Sequence, residues 1–194
     1  TRSNRVSVGS EMCIRDSPLY GLRSQIDYSF TINDDTKMDV GYQYRNLDHT
    51  GDFIYQRRSN FDEEFYLVPE FSSEVNLKRK IHSFFSQFST VKKNLSYSAG
   101  IRIESMKRNL FLRDKGNTIN ENLHYNFTKL YPSASLQYLF NEETKIKLAY
   151  SKRIERTTTF KMNPFPEREH TETLEQGDPN LKPESVSYTH LRAH

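Results

Sequence analysis

YPSASLQYLFNEETKIKLAYSKRI (131–154), leading through NPF (163–165) to GDPNLKPE (177–184), is the stretch whose reading decides the fold. Ala134, Leu136, Tyr138 and Phe140 alternate with small or polar residues. Asn141 to Thr144 carry turn chemistry, and Ile146, Leu148 and Tyr150 then resume the alternation against Lys145, Lys147 and Ser151. Successive strand side chains point to opposite faces, so a period of two gives each strand one apolar and one polar face. Two such runs around a short polar turn predict an antiparallel hairpin.

Upstream, the pattern recurs. In residues 22–32, Ile26, Tyr28, Phe30 and Ile32 alternate with Gln25, Asp27, Ser29 and Thr31. After the turn residues Asn33, Asp34 and Asp35, Met38, Val40, Tyr42 and Tyr44 alternate with Lys37, Asp39, Gly41, Gln43 and Arg45. Beyond Lys92-Lys93-Asn94, Leu95, Tyr97, Ala99, Ile101 and Ile103 alternate with Ser96, Ser98, Gly100, Arg102 and Glu104. The strand before them, within 76–90, is harder to read. Ile81 and Phe85 compete with Phe84 and Phe88 for the apolar face, which predicts either a bulge near Phe84-Phe85 or a helical turn.

Connection lengths set the topology. Turns near 33–36, 91–94 and 141–144 are short, whereas the connections 47–74 and 107–132 read as long and polar. An up-and-down sheet puts alternate connections at the same end, so the short turns gather at one rim and the long loops at the other. Transmembrane barrels have this asymmetry. Strands of roughly ten or more residues also suffice to cross a bilayer when tilted. The predicted fold is therefore all-β, an antiparallel up-and-down meander of the transmembrane-barrel kind; a family resemblance carried by 131–184 further implies that it is an incomplete slice of a large transmembrane barrel. Up to six strands are expected, with Ile26, Tyr28, Phe30, Met38, Val40, Tyr42, Leu95, Tyr97, Ile101, Leu136, Tyr138, Ile146 and Leu148 facing outward.

The hairpin at 131–154, the arginine-bearing strand end, the Asn-Pro-Phe loop and the G-x-P-N-L-K-P-E segment together resemble the outer-membrane β-barrel domain of TonB-dependent receptors. The resemblance implies a barrel of about 22 strands, a separate plug domain absent from this chain and TonB as the energising partner. It also implies an outer-membrane location, outer-membrane lipid around the wall and energised uptake of a scarce, unidentified ligand. Arg153, Arg156, Asn163 and Phe165 match the strand-end and loop pattern, as residues that either structure the loop or touch the ligand. The match is incomplete, since Lys152-Arg153 and Arg156-Thr157 stand where the family commonly has an Arg-Arg pair and an early proline. A passive porin-like wall and a soluble extracellular carbohydrate-binding β domain are the alternative functions.

Both ends read differently. Residues 12–16 (MCIRD) can be written as ATG TGT ATA AGA GAC, and the reverse complement of that DNA encodes 186–190 (VSYTH). The complementarity extends codon by codon to pair 8–11 with 191–194. This resembles translated sequencing adapter, a kind of scar excluded from fold reasoning. The expected organisation is an artefactual or unexplained end at 1–17 (8–16 adapter-like), a partial outer-membrane barrel domain at 18–184 and an adapter-like end at 185–194. The ends are expected to pack against nothing specific. Cys13, the only cysteine, falls in them, leaving no disulfide framework in 18–184. Removing Arg2, Arg5, Arg15 and Arg192 from 28 basic residues, and Glu11 and Asp16 from 25 acidic ones, leaves a formal charge of +1. That balance gives no support to nucleic-acid binding.

Nothing in 18–184 reads as catalytic, metal-binding or cofactor-binding. Glu167, Glu169, His170 and Glu172 are the densest group of candidate metal ligands, but an acidic loop produces such a group without coordination. His49, His82 and His124 lack ligand spacing. Glu63-Glu64 and Glu142-Glu143 are adjacent pairs whose side chains diverge, whereas acid-base partners must face one reacting atom. Nucleophile elbows, phosphate loops and dinucleotide fingerprints are absent. No enzyme and no cofactor are expected.

Overall fold

The computed structural model describes residues 10–60, 62–141, 144–170 and 173–193. The strands are β1 (Ser10–Asp16), β2 (Leu19–Asn33), β3 (Thr36–Arg58), β4 (Tyr66–Leu67), β5 (Ser73–Lys92), β6 (Leu95–Asp114), β7 (Asn120–Leu139), β8 (Lys145–Glu155), β9 (Glu167–His170), β10 (Thr173–Glu175) and β11 (Glu184–Ala193). Short 3-10 turns occupy Pro69–Phe71 and Phe160–Met162. An antiparallel meander runs β2-β3-β5-β6-β7-β8-β11, with β1 and β4 also paired to β3, and β9 and β10 form a separate hairpin. No helix among the described residues is long and apolar enough to cross a membrane.

The register places all thirteen expected outward residues on one face. Ile26 opposes Tyr42, Tyr28 opposes Val40 and Phe30 opposes Met38. Tyr42 lies beside Phe84 on β5, which opposes Ile103 on β6. Leu95 and Tyr97 meet Tyr138 and Leu136, which meet Ile146 and Leu148. Large apolar side chains on this face are uncovered, with Ile26 74% and Tyr28 66% exposed. On β6 the apolar rows run from Leu95 to Ile103, about 27 Å of strand at ~3.4 Å per residue. A tilt of about 40° reduces that to roughly 20 Å, close to the ~25 Å apolar belt of outer-membrane barrels. Ile101→Arg should therefore lower the stability of the membrane-inserted barrel by about 2 kcal/mol. Denaturant titration in lipid vesicles checks this, and an unchanged midpoint would show that the face does not meet hydrocarbon.

Beyond Ile103 the pattern inverts. The outward rows become Asn46-Lys80-Lys107-Asn126 and Asp48-Lys78-Asn109-His124. The apolar residues move to the inner face, where Phe53, Val75, Leu77, Leu110 and Leu112 form a buried cluster with Met162 and Phe165. This change of phase corrects two expectations. First, β5 has no bulge and no helical turn, and it keeps continuous register with β3 and β6. Phe84 and Phe88 face outward, while Ile81 and Phe85 belong to the inner face. Second, the connections expected at 47–74 and 107–132 are largely strand: β3 continues to Arg58, and β6 and β7 leave only 115–119 between them. In that turn the Asp114 carboxylate accepts the Ile119 backbone N–H at 2.8 Å, which holds the carboxyl below its ordinary range. Asn117 takes a left-handed conformation (φ 58°), which asparagine tolerates better than most residues.

The expectation that the ends pack against nothing specific is also corrected. β1 pairs with residues 52–58 of β3, and β11 pairs along β8 from Glu184 opposite Glu155 to Ala193 opposite Ile146. Both lie on sheet edges, where a row of unpaired N–H and C=O groups accepts an extended segment with little regard to its side chains. Leu191 remains 75% exposed in this pairing, so the attachment is through the backbone more than through burial.

Candidate functional site: an arginine-lined groove on the inner face

Because polar residues of the alternating strands share the inner face, the register stacks them into a lateral network. Arg23 donates to Gln25 Oε1 at 3.0 Å, and Gln25 in turn donates to Asp27 at 2.7 Å. Gln43 Nε2 donates to Gln25 Oε1 at 2.5 Å. Arg102 donates to Gln43 Oε1 at 3.2 Å and to Ser83 Oγ at 2.8 Å. Glu104 closes the network: one carboxylate oxygen pairs with Arg156, and the other accepts Ser83 Oγ at 3.4 Å and Arg102 at 3.5 Å. Its side chain is only 1% exposed. A carboxylate buried this deeply is tolerable only when paired and hydrogen-bonded.

Around this carboxylate lies a cavity of about 410 Å³ whose lining includes Arg23, Arg45, Arg102, Lys152, Arg153 and Arg156, with Glu104 the one acidic member. An adjoining cavity of about 500 Å³ shares Arg23, Arg45 and Arg156 and adds Arg79. The two form a cationic groove across β2, β3, β5 and β6. Its roof toward the long-loop rim is the β8–β11 connection, folded back over the inner face. Arg108 donates there to the Leu181 carbonyl at 2.9 Å and contacts Met162 Sδ at 3.0 Å.

The structure separates the four residues of the sequence motif. Arg156 enters the groove and pairs with Glu104. Arg153 also lines the groove, but it is exposed and its guanidinium carbon stands 6.0 Å from the Tyr188 ring centroid. Asn163 and Phe165 lie in the roof. Asn163 is 3% exposed and its Oδ1 accepts the Phe165 backbone N–H at 3.1 Å, while Phe165 is 4% exposed in the apolar cluster. Gln25, Gln43, Arg45, Arg79, Arg102 and Glu104 were not singled out by sequence; all but Arg79 occupy a polar-phase position of their strand, and Arg79 interrupts the inner apolar row between Leu77 and Ile81. Of the carboxylate and histidine candidates, Glu142, Glu143 and Glu172 lie outside the described residues, as do the side chains of Glu167, Glu169 and His170. His82 faces outward and its Nδ1 is 2.7 Å from the Tyr42 hydroxyl.

The GDPNLKPE segment docks on the Asn-Pro-Phe loop through backbone. Gly177 N–H donates to Asn163 O at 2.6 Å and Asp178 N–H to Lys161 O at 3.0 Å. Gly177 does not have the positive φ for which a glycine is often kept. Its role is close approach, since a Cβ there would stand 2.7 Å from the Lys161 carbonyl carbon and 2.8 Å from Asn163 O. Backbone cannot yield as a side-chain tip can, so Gly177→Ala should destabilise the roof by about 2 kcal/mol. Limited proteolysis within 157–183 measures this, and unchanged cleavage would refute the close-approach account.

An antiparallel meander with an apolar outer belt, a charged inner wall and a loop folded over that wall defines part of a large transmembrane β-barrel. A match to the outer membrane protein beta-barrel family spans residues 15–192, and the chain belongs to that family. It is an outer-membrane protein. No curated protein matches the sequence. Among solved structures, the fold is similar to the unliganded ferric citrate transporter FecA, with TM-score 0.54 and 12% identity over 75% of this chain and 22% of that one. It is similar also to the ferric yersiniabactin uptake receptor FyuA of Yersinia pestis, with TM-score 0.54 and 11% identity over 93% of this chain and 26% of that one. The chain thus spans about a quarter of the length of these structures.

Proposed function

We propose that this chain is a wall section of a TonB-dependent outer-membrane receptor that carries a scarce ligand inward by an energised route. The observation that carries the reading is the inner wall itself. It presents a dense, hydrogen-bonded cationic groove beneath an inward-folded loop, an arrangement suited to holding an occupant. The fold's likeness to two uptake receptors and the Asn-Pro-Phe and GDPNLKPE segments support it. The parent receptor would bind ligand from the long-loop side, a plug contacted by TonB would give way, and the ligand would pass without covalent chemistry. Arg153 and Arg156 would face the passage, and Asn163 and Phe165 would fix the loop. A passive porin wall is the second reading, favoured by the polar, water-accessible character of the inner face. A soluble carbohydrate-binding domain accords poorly with the exposed apolar belt, which would be uncovered in water.

Uptake by cells expressing the complete receptor, with and without TonB, tests the proposal against a panel of metal chelates, oligosaccharides and peptides. Accumulation of at least one ligand should fall to background without TonB. Uptake that persists would favour the passive wall.

A further inference from the structure

We propose that the inner-face groove is a binding site for a multivalent small anion bearing carboxylate or phosphate groups, held chiefly by Arg45 and Arg79. The inference deepens the receptor reading by naming a ligand class, and it rests on that reading for the groove's access to solute.

Charge balance within the groove carries the argument. Arg23 directly opposes Arg45 across β2 and β3, and Arg79 directly opposes Arg108 across β5 and β6. Like charges directly opposite in an antiparallel pair destabilise it. Glu104 relieves Arg45 and Arg79 only in part: its charge attracts both through space, but its two oxygens are engaged by Arg156, Arg102 and Ser83 and contact neither. Arg45 and Arg79 make no hydrogen bond or ion pair with any described residue, and the Nε atoms of Arg45, Arg79, Arg108 and Arg156 are buried without a partner. Buried polar groups in folded proteins are overwhelmingly partnered, and Arg45 and Arg79, half-buried among other cations, carry charge that no direct ion pair offsets. An anion in the groove would supply the missing acceptors and the missing charge together.

The type of cation narrows the ligand. Guanidinium presents a rigid planar fork of donors that matches carboxylate and phosphate oxygens two at a time. Two forks from adjacent strands, flanking cavities of about 410 and 500 Å³, suit a molecule with two or more such groups better than a single small ion. A neutral sugar would leave the charge repulsion in place.

The test uses the complete receptor, purified in detergent, with inorganic pyrophosphate, tricarballylate and neutral maltotriose as probes in calorimetric titration at low salt. Pyrophosphate or tricarballylate should bind, maltotriose should not, and raising the salt should weaken the anion. The double variant Arg45→Gln/Arg79→Gln should weaken anion binding at least tenfold, while its heat-modifiable gel mobility reports whether the barrel still folds. Should that variant not fold, Arg45→Lys, which keeps the charge but loses the fork, should weaken binding severalfold. Failure of both anions to bind, equal binding by the variants, or an acidic side chain of the receptor itself found between Arg45 and Arg79 would overturn the proposal. Because detergent binding needs no TonB, anion binding without TonB-dependent uptake would refute only the transport reading. Uptake of a neutral ligand alone, with no anion binding, would refute only this one.

Discussion

Replacing Glu104 by Gln is expected to be the most damaging single change in the inner wall. The substitution keeps shape and removes charge, leaving Arg102 and Arg156 without their counter-ion in a region already rich in arginine. Removing one member of a buried ion pair costs roughly 3–5 kcal/mol, largely through the charge left behind. Arg102 and Arg156 keep partial solvent access, with side chains 31% and 19% exposed, so about 3 kcal/mol is the expected loss. The assay is the temperature at which the complete barrel loses its heat-modifiable mobility, together with its yield in the outer membrane. The double variant Glu104→Gln/Arg156→Met should recover part of the loss, because it removes the orphaned cation as well. If the single variant matches the parent, Glu104 is not the electrostatic centre of the wall.

Phe165→Ala should undock the roof. Phe165 packs with Met162 against Phe53, Leu77, Leu110 and Leu112, all at most 6% exposed. Truncating a buried phenylalanine costs about 3–5 kcal/mol where the surroundings cannot collapse, and a loop can relax more than a barrel, so about 3 kcal/mol is expected. The loss should be local, since the β5–β6 ladder does not depend on the loop for its hydrogen bonds. Hydrogen exchange should therefore accelerate by about a hundredfold at the Gly177 and Asp178 amides, which are bonded to Asn163 O and Lys161 O. Amides along β5 and β6 should change little. Protection that falls equally throughout would mean that roof and wall form one cooperative unit.

Particular residues mark how far the sequence could be read. The outward row from Leu95 to Ile103 and its partners in β3, β7 and β8 were legible because lipid selects apolar side chains at every second position and nothing disturbs that period. Ile81, Phe84 and Phe85 were misread because an outward apolar row, Phe84 and Phe88, overlaps an inward one on the same strand, where Ile81 is buried and Phe85 fills the space above Gly41. Each row has the same period with opposite phase, so around the crossover the pattern resembles a bulge or a helical turn. The same inversion hid the extension of β6 through Met106, Leu110 and Leu112. Likewise, the backbone pairing of β1 and β11 could not be read from side chains, because edge pairing hardly uses them.

By itself the sequence determined the all-β class, the meander and the outward face, since these rest on local periodicity and turn chemistry, while the Asn-Pro-Phe and GDPNLKPE segments offered a resemblance of motif. The groove was decided only in three dimensions. Arg23, Arg45, Arg79, the neighbouring pair Arg102 and Glu104, and Arg156 come from five separate places along the chain, and each alone is an ordinary polar residue on the inner phase of a strand or at its end. Strand register brings them together, and the returning loop places the apolar roof above them. Whether a charge is solvated, paired or left seeking an anion depends on neighbours across strands, and only the tertiary structure assigns those neighbours.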